Sequence, residues 1–114
     1  MSARAETLLW FAQRVSAMVL ALAVSVHIGT IIFAVRGGLS AADILGRVQG
    51  NGAWLAFYVV FVAAAAVHAP IGLRTVLAEM TPLSGRAADG VALASALVLA
   101  WTGWRAIFGL YAGV

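Results

Sequence analysis

The chain has 114 residues, of which 64% are hydrophobic and only 10% charged, and its mean hydropathy is +1.04. A soluble domain carries about 25% charged residues, so this chain cannot cover its own surface with polar groups and belongs in lipid. At about 20 apolar residues per bilayer-spanning helix, the length allows three or four spans and almost no water-exposed domain. A soluble enzyme, a nucleic-acid binder and a transporter with its own nucleotide engine are excluded. The net charge is +3. All the basic residues are Arg, spread singly from Arg4 to Arg105, so no polybasic strip for phosphates exists. Without Cys there is no disulfide, no thiolate ligand for an iron–sulfur cluster and no covalent c-type haem attachment.

The expected fold is an all-α membrane protein: three transmembrane helices in an antiparallel bundle, completed by another subunit. One transmembrane domain covers residues 1–114, with spans over about 8–35, 53–75 and 87–112. The segment from Met1 to Arg14 lacks the pattern of a cleaved signal peptide, so the first apolar stretch is read as retained. Val15 to Val35 carries no charge and is ended by Arg36, Gly37 and Gly38. Ser40 then caps a short interfacial helix through Arg47, and Gly50, Asn51 and Gly52 make the next break. The second span runs to Leu73, with Arg74 at its end. A polar connection follows, containing Glu79, Thr81, Pro82, Ser84, Gly85, Arg86 and Asp89. The third span holds Arg105 in its last third. Trp10, Trp54, Trp104 and Tyr111 fall near span ends, where amphipathic rings suit the headgroup region. Counting Arg in the flanks sets Arg4, Arg14, Arg74 and Arg86 against Arg36, Arg47 and Arg105, which favours a cytoplasmic N-terminus.

Ionisable groups inside a span are costly and mark functional sites. His27 and His68 are the only histidines, and both fall inside hydrocarbon. Each imidazole either bonds a neighbouring helix or ligates something. Around His68, Ala64 and Gly72 lie one turn to either side, leaving room for something broad and flat, and neutral imidazole is a common axial ligand of haem. Ala23 and Thr30 flank His27 in the same way. Placed on antiparallel helices, the two histidines differ in depth by roughly 10 Å. Two nitrogens on one iron are only about 4 Å apart, so they do not share one haem within the chain. Gln13, Ser16, Leu20, Ala23 and His27 form one helical stripe. Arg14 points elsewhere and snorkels; with a hydroxyl at the membrane edge it polarises the carbonyls of a quinone or meets a haem propionate. Pro70 removes one helical hydrogen bond and bends the second span.

Gln13-Arg14-Val15-Ser16-Ala17 resembles the His-Arg-x-Ser/Thr-Gly signature of succinate dehydrogenase and fumarate reductase cytochrome b anchor subunits. His68-Ala69-Pro70-Ile71-Gly72-Leu73-Arg74, with Glu79 downstream, resembles their His-x-x-x-Gly-Ile/Leu-Arg segment. Gln13 stands where the family often has His, and Ala17 where it has Gly. The resemblance implies an inner (plasma) membrane anchor for a flavoprotein and an iron–sulfur subunit of the tricarboxylic acid cycle enzyme type, carrying electrons between a dicarboxylate couple and quinone. Its implied cofactors are haem b and a quinone, ubiquinone or menaquinone. His68 is the implied axial iron ligand, with Arg74 and Gln13 at the propionates, and Trp10, Arg14 and Ser16 in the quinone pocket. His27 resembles the first-helix iron ligand of two-haem, five-helix relatives. Three helices supply half of such a bundle, so a second anchor chain or a second copy of this one is required. The chain by itself catalyses nothing on a dicarboxylate. The alternatives are a haem-free anchor and a small membrane subunit of a transporter.

Overall fold

The computed structural model describes residues 2–83 and 85–114; Ser84 of the expected polar connection lies outside them. Four helices follow one another: α1 (Ala3–Gly37), α2 (Ala41–Val48), α3 (Gly52–Met80) and α4 (Arg86–Ala112). Among the described residues there is no strand. α1, α3 and α4 are each long and apolar enough to cross a membrane, as the hydropathy demands.

Several helix ends are set locally. The Ser2 hydroxyl accepts from the Ala5 amide at 3.2 Å and opens α1. Gly38, at φ 132°, ends it while its amide donates to the Ala34 carbonyl; a left-handed φ suits only glycine at low cost. α2 is the expected interfacial helix. Its Ser40 hydroxyl accepts from the Asp43 amide at 3.1 Å, and the Asp43 carboxylate accepts from the Ser40 amide at 3.3 Å and the Ser40 hydroxyl at 2.6 Å. This reciprocal box satisfies donors that a helix start otherwise leaves unpaired. The Asn51 side chain accepts from the amides of Ala53 and Trp54 and so caps α3. Gly113, with φ 76°, closes α4 in the left-handed conformation.

The helices overrun the expected spans. α1 begins at Ala3 and is about 52 Å long at 1.5 Å per residue, against about 30 Å of hydrocarbon. α3 continues through Pro70 to Met80, so Glu79 is helical. The helix absorbs one proline because only the Ala66 carbonyl loses its backbone donor. Arg86 and Asp89 belong to the first turn of α4, where a carboxylate suits the positive end of the helix dipole. The polar connection therefore shrinks to residues 81–85.

α3 is the central helix: α1 packs on one part of it and α4 on another, while α1 and α4 touch each other little. Residue 16 meets residue 68 and residue 27 meets residue 58, so α1 and α3 run antiparallel. The buried positions are mostly small, with Ser16, Ala23, Ala64, Ala88 and Ala92 joined by Pro70 and Ile107. Lipid supplies no hydrophobic drive between helices, so close approach of small residues does the packing. Large side chains such as Leu22, 73% exposed, point away from the bundle. At the far end the Gly50 amide donates to the Tyr111 carbonyl at 2.9 Å, fastening the α2–α3 turn to the end of α4.

Candidate functional site

The stripe on α1 faces α3. Ser16 is 5% exposed, and its hydroxyl donates to the Gln13 carbonyl at 3.1 Å while lying 3.4 Å from Nδ1 of His68. A serine hydroxyl has one proton. While that proton stays on the Gln13 carbonyl, the imidazole supplies the shared hydrogen, with the N–H on Nδ1 and the lone pair on Nε2; if the hydroxyl turns to Nδ1, the N–H moves to Nε2. Next to this pair, the Oε1 atom of Gln13 is buried without a hydrogen-bond partner. A β-carbon at Gly72 would stand 3.4 Å from the Gln13 Nε2 atom, so the glycine gives that amide its seat.

Arg74, the expected propionate partner, lies farther along α3 at the same end of the bundle. Its Nε donates to the Asp89 carboxylate of α4 at 2.6 Å, and one Nη lies 3.6 Å from the Glu6 carboxylate of α1. The motif acid Glu79 is not in that ion-paired set. Trp10 and Arg14 meet each other, the guanidinium carbon lying 5.2 Å from the indole centroid. Four residues apart, they share one face of α1, whereas Ser16 projects on the other side toward α3. Of the three expected quinone residues, the structure thus brings two together and separates the third.

His27 occupies a second locale. Its Nδ1 is 3.5 Å from the Tyr58 hydroxyl, and the rings of Tyr58 and Phe61 stand edge-on to the imidazole with centroids 5.9 and 5.6 Å away. The α3 segment from Tyr58 to His68 rises about 15 Å. The two histidines are therefore farther apart in depth than the spacing of the spans suggests, because α1 and α3 are offset. Their separation excludes one iron held by both. Among the described residues no three His, Cys, Asp or Glu side chains gather as a metal site.

Tyr58, Glu6 and Asp89 are site residues that the sequence reading does not single out. Tyr58 carries a signal, a hydroxyl inside the second span, hidden by its count as an aromatic. For Glu6 and Asp89 the signal is an acid in the first turn of each helix that starts at the membrane edge where α3 ends.

Residues 1–108 match the family model described as succinate dehydrogenase/fumarate reductase transmembrane subunit. No curated protein and no solved structure matches the chain.

Proposed function

The chain belongs to the succinate dehydrogenase/fumarate reductase transmembrane-subunit family, and from that premise we propose that it is the haem b-binding anchor of such a complex, linking an iron–sulfur subunit to membrane quinone. The carrying observation is the Ser16 hydroxyl against Nδ1 of His68. A hydrogen bond on one ring nitrogen fixes the tautomer and aims the other at a metal. His68 Nε2 is the axial ligand in this reading. Ala64 and Gly72 keep the neighbouring turns small, and the Nε2 group of the Gln13 amide, seated on Gly72, is the donor for a propionate. Haem bound there supplies a one-electron relay whose potential is set by its ligands and by burial. Arg74 stands at the same edge, and a second propionate would take it in exchange for Glu6, the more distant of its two acids.

The quinone reading rests on Trp10 and Arg14, a ring and a guanidinium on the outward face at the membrane edge. Ser16 acts through His68 instead of touching quinone. Small neighbours favour haem at His68; the Tyr58 and Phe61 rings crowd His27, which weakens the second-haem reading there. The other axial ligand then comes from a second anchor chain or a second copy, and the soluble partners are a flavoprotein and an iron–sulfur subunit. Four Arg at the N-terminal edge against three at the other favour a cytoplasmic N-terminus in the inner membrane.

A reduced-minus-oxidised spectrum with pyridine haemochrome quantitation, on the purified complex, tests this. A b-type haem lost in His68→Ala and kept in His27→Ala is the expected result. A wild-type complex without haem would overturn it in favour of an anchor that only docks the soluble subunits.

A further inference from the structure

At the opposite end of the bundle from Gln13 and His68, α1, α2 and α3 enclose a groove of about 680 Å³. α2 lies at its mouth, and Ile44, Arg47 and Val48 line it. Three and four residues apart, they share one face of that helix. An interfacial helix gives its apolar face to the membrane and its charges to water, so a half-buried guanidinium beside Ile44 and Val48 stands on the face turned to the membrane. Its carbon is 5.6 Å from the Phe33 ring centroid, and one Nη donates to the Gly38 carbonyl at 2.7 Å. A guanidinium has five N–H groups, so others remain for a ligand. Among the described residues the ion pairs all involve Arg74. The Asp43 carboxylate, one turn before Arg47, accepts from the Ser40 amide and hydroxyl. Arg36, in the last turn of α1, adds a second positive charge at this end.

Polarity falls off inward from that cation. Trp54 lines the groove one turn of α3 before Tyr58, hence about 6 Å nearer the mouth. Among the described residues nothing accepts a hydrogen bond from its indole N–H. Deeper in, the Tyr58 hydroxyl and Nδ1 of His27 face each other at 3.5 Å, and the Thr30 hydroxyl donates to the His27 carbonyl at 2.7 Å. The deep polar atoms are thus turned on protein partners, and aliphatic side chains such as Val26 and Ile31 make up the wall beside them. From mouth to floor the groove presents a cation, then one neutral donor, then apolar surface.

We infer that this groove holds a phospholipid of net negative charge, with its phosphate on Arg47, an ester carbonyl on the Trp54 indole N–H and an acyl chain along the apolar floor. The order of the three chemistries is that of the lipid itself, phosphate outermost, ester next, hydrocarbon last. Arg takes phosphate through paired, charge-assisted hydrogen bonds, and Trp belongs at the headgroup level. A choline headgroup would carry its own cation to an edge that already holds Arg36 and Arg47, so a headgroup without one is favoured. A transmembrane helix laid in the groove spends its carbonyls on its own amides and offers Trp54 no acceptor. Free phosphate meets Arg47 but leaves the floor to water, which apolar surface disfavours. Lipid held there is independent of haem at His68.

The test uses the intact complex in phosphatidylcholine nanodiscs doped with phosphatidylglycerol that carries a photoreactive diazirine in one acyl chain. Labelling within 26–34 or 54–58 is expected, displaced by unlabelled phosphatidylglycerol but not by inorganic phosphate or a short-tailed quinone. The same diazirine on phosphatidylcholine labels those segments about tenfold less. Arg47→Gln weakens the phosphatidylglycerol labelling about tenfold, the loss of one charge-assisted hydrogen bond, and leaves the optical spectrum of the complex as in wild type. Competition and the comparison of the two lipids are read on the wild-type chain and need no variant to fold. Equal labelling by both lipids, labelling spread evenly over the outer faces of the helices, labelling unchanged in Arg47→Gln, or displacement by inorganic phosphate or by quinone would each overturn the inference.

Discussion

Ser16 and His68 meet across the α1–α3 contact, with the serine oxygen 3.4 Å from Nδ1 of the imidazole. With a metal held on Nε2, the remaining imidazole hydrogen is on Nδ1 and the serine accepts it, enriching the ring in electrons and favouring the oxidised metal. In the haem-loaded complex, Ser16→Ala therefore raises the midpoint potential by on the order of 40 mV, one ordinary hydrogen bond expressed as a one-electron potential. Ser16→Thr keeps the hydroxyl and the wild-type value. Redox titration of the b band reads both, and an unchanged potential in Ser16→Ala would show that the contact does not tune the ligand.

Gly103 of α4 sits so close to α3 that a β-carbon there would stand 2.5 Å from Cγ1 of Val62. Gly103→Ala forces the helices apart and destabilises the α3–α4 pair by about 1–3 kcal/mol, the usual cost of overpacking. Val62→Ala in the same chain recovers most of that loss, because the two sites are in contact and their effects do not add. Unfolding in mixed micelles, run on the four members of the cycle, measures the recovery.

The two acids on Arg74 are unequal. Asp89 is at 2.6 Å and Glu6 at 3.6 Å, and both carboxylates are about half exposed. Exposed pairs contribute about 0–1 kcal/mol and weaken with salt. Asp89→Asn therefore costs more than Glu6→Gln, each stays below about 1 kcal/mol, and the difference shrinks in high salt. The same micelle titration at two ionic strengths checks the order.

Hydrogen bonds from Ser40 hold the Asp43 carboxyl below the usual aspartate range, with Arg47 adding a smaller pull in the same direction. The carboxylate form is thus favoured by the folded cap. Its contribution is fully present above the unfolded pKa, about 3.9, and is lost as pH falls through the lower folded value. α2 frays only in acid below about pH 4. Hydrogen exchange across Ala41–Val48 should show that transition in wild type and lose it in Asp43→Asn.

Hydropathy made the three long helices legible, because runs such as Val15–Val35 admit no other solvent. The box at Ser40 was legible too, since Ser and Asp at that spacing can satisfy each other locally. Helix ends were less so. Glu79, Arg86 and Asp89 read as loop by polarity, yet they extend α3 and α4 past the hydrocarbon, where water and an ion pair make charge inexpensive. The stripe from Gln13 to His27 pointed to the face that α3 covers, but not to which histidine meets which hydroxyl. That pairing depends on the offset between two helices, a tertiary quantity that periodicity within one helix does not carry. Tyr58 opposite His27 follows from the same offset, and Asp89 opposite Arg74 from the separate register of α3 against α4.

The Gly50 amide finds its acceptor on Tyr111, which constrains biogenesis. Chains fold largely as they are synthesised, so α1 to α3 enter the bilayer with that turn still unlatched. Only when α4 has been threaded can its far end clasp the turn. A ribosome-stalled intermediate lacking α4 should accordingly leave the α2–α3 corner open to protease.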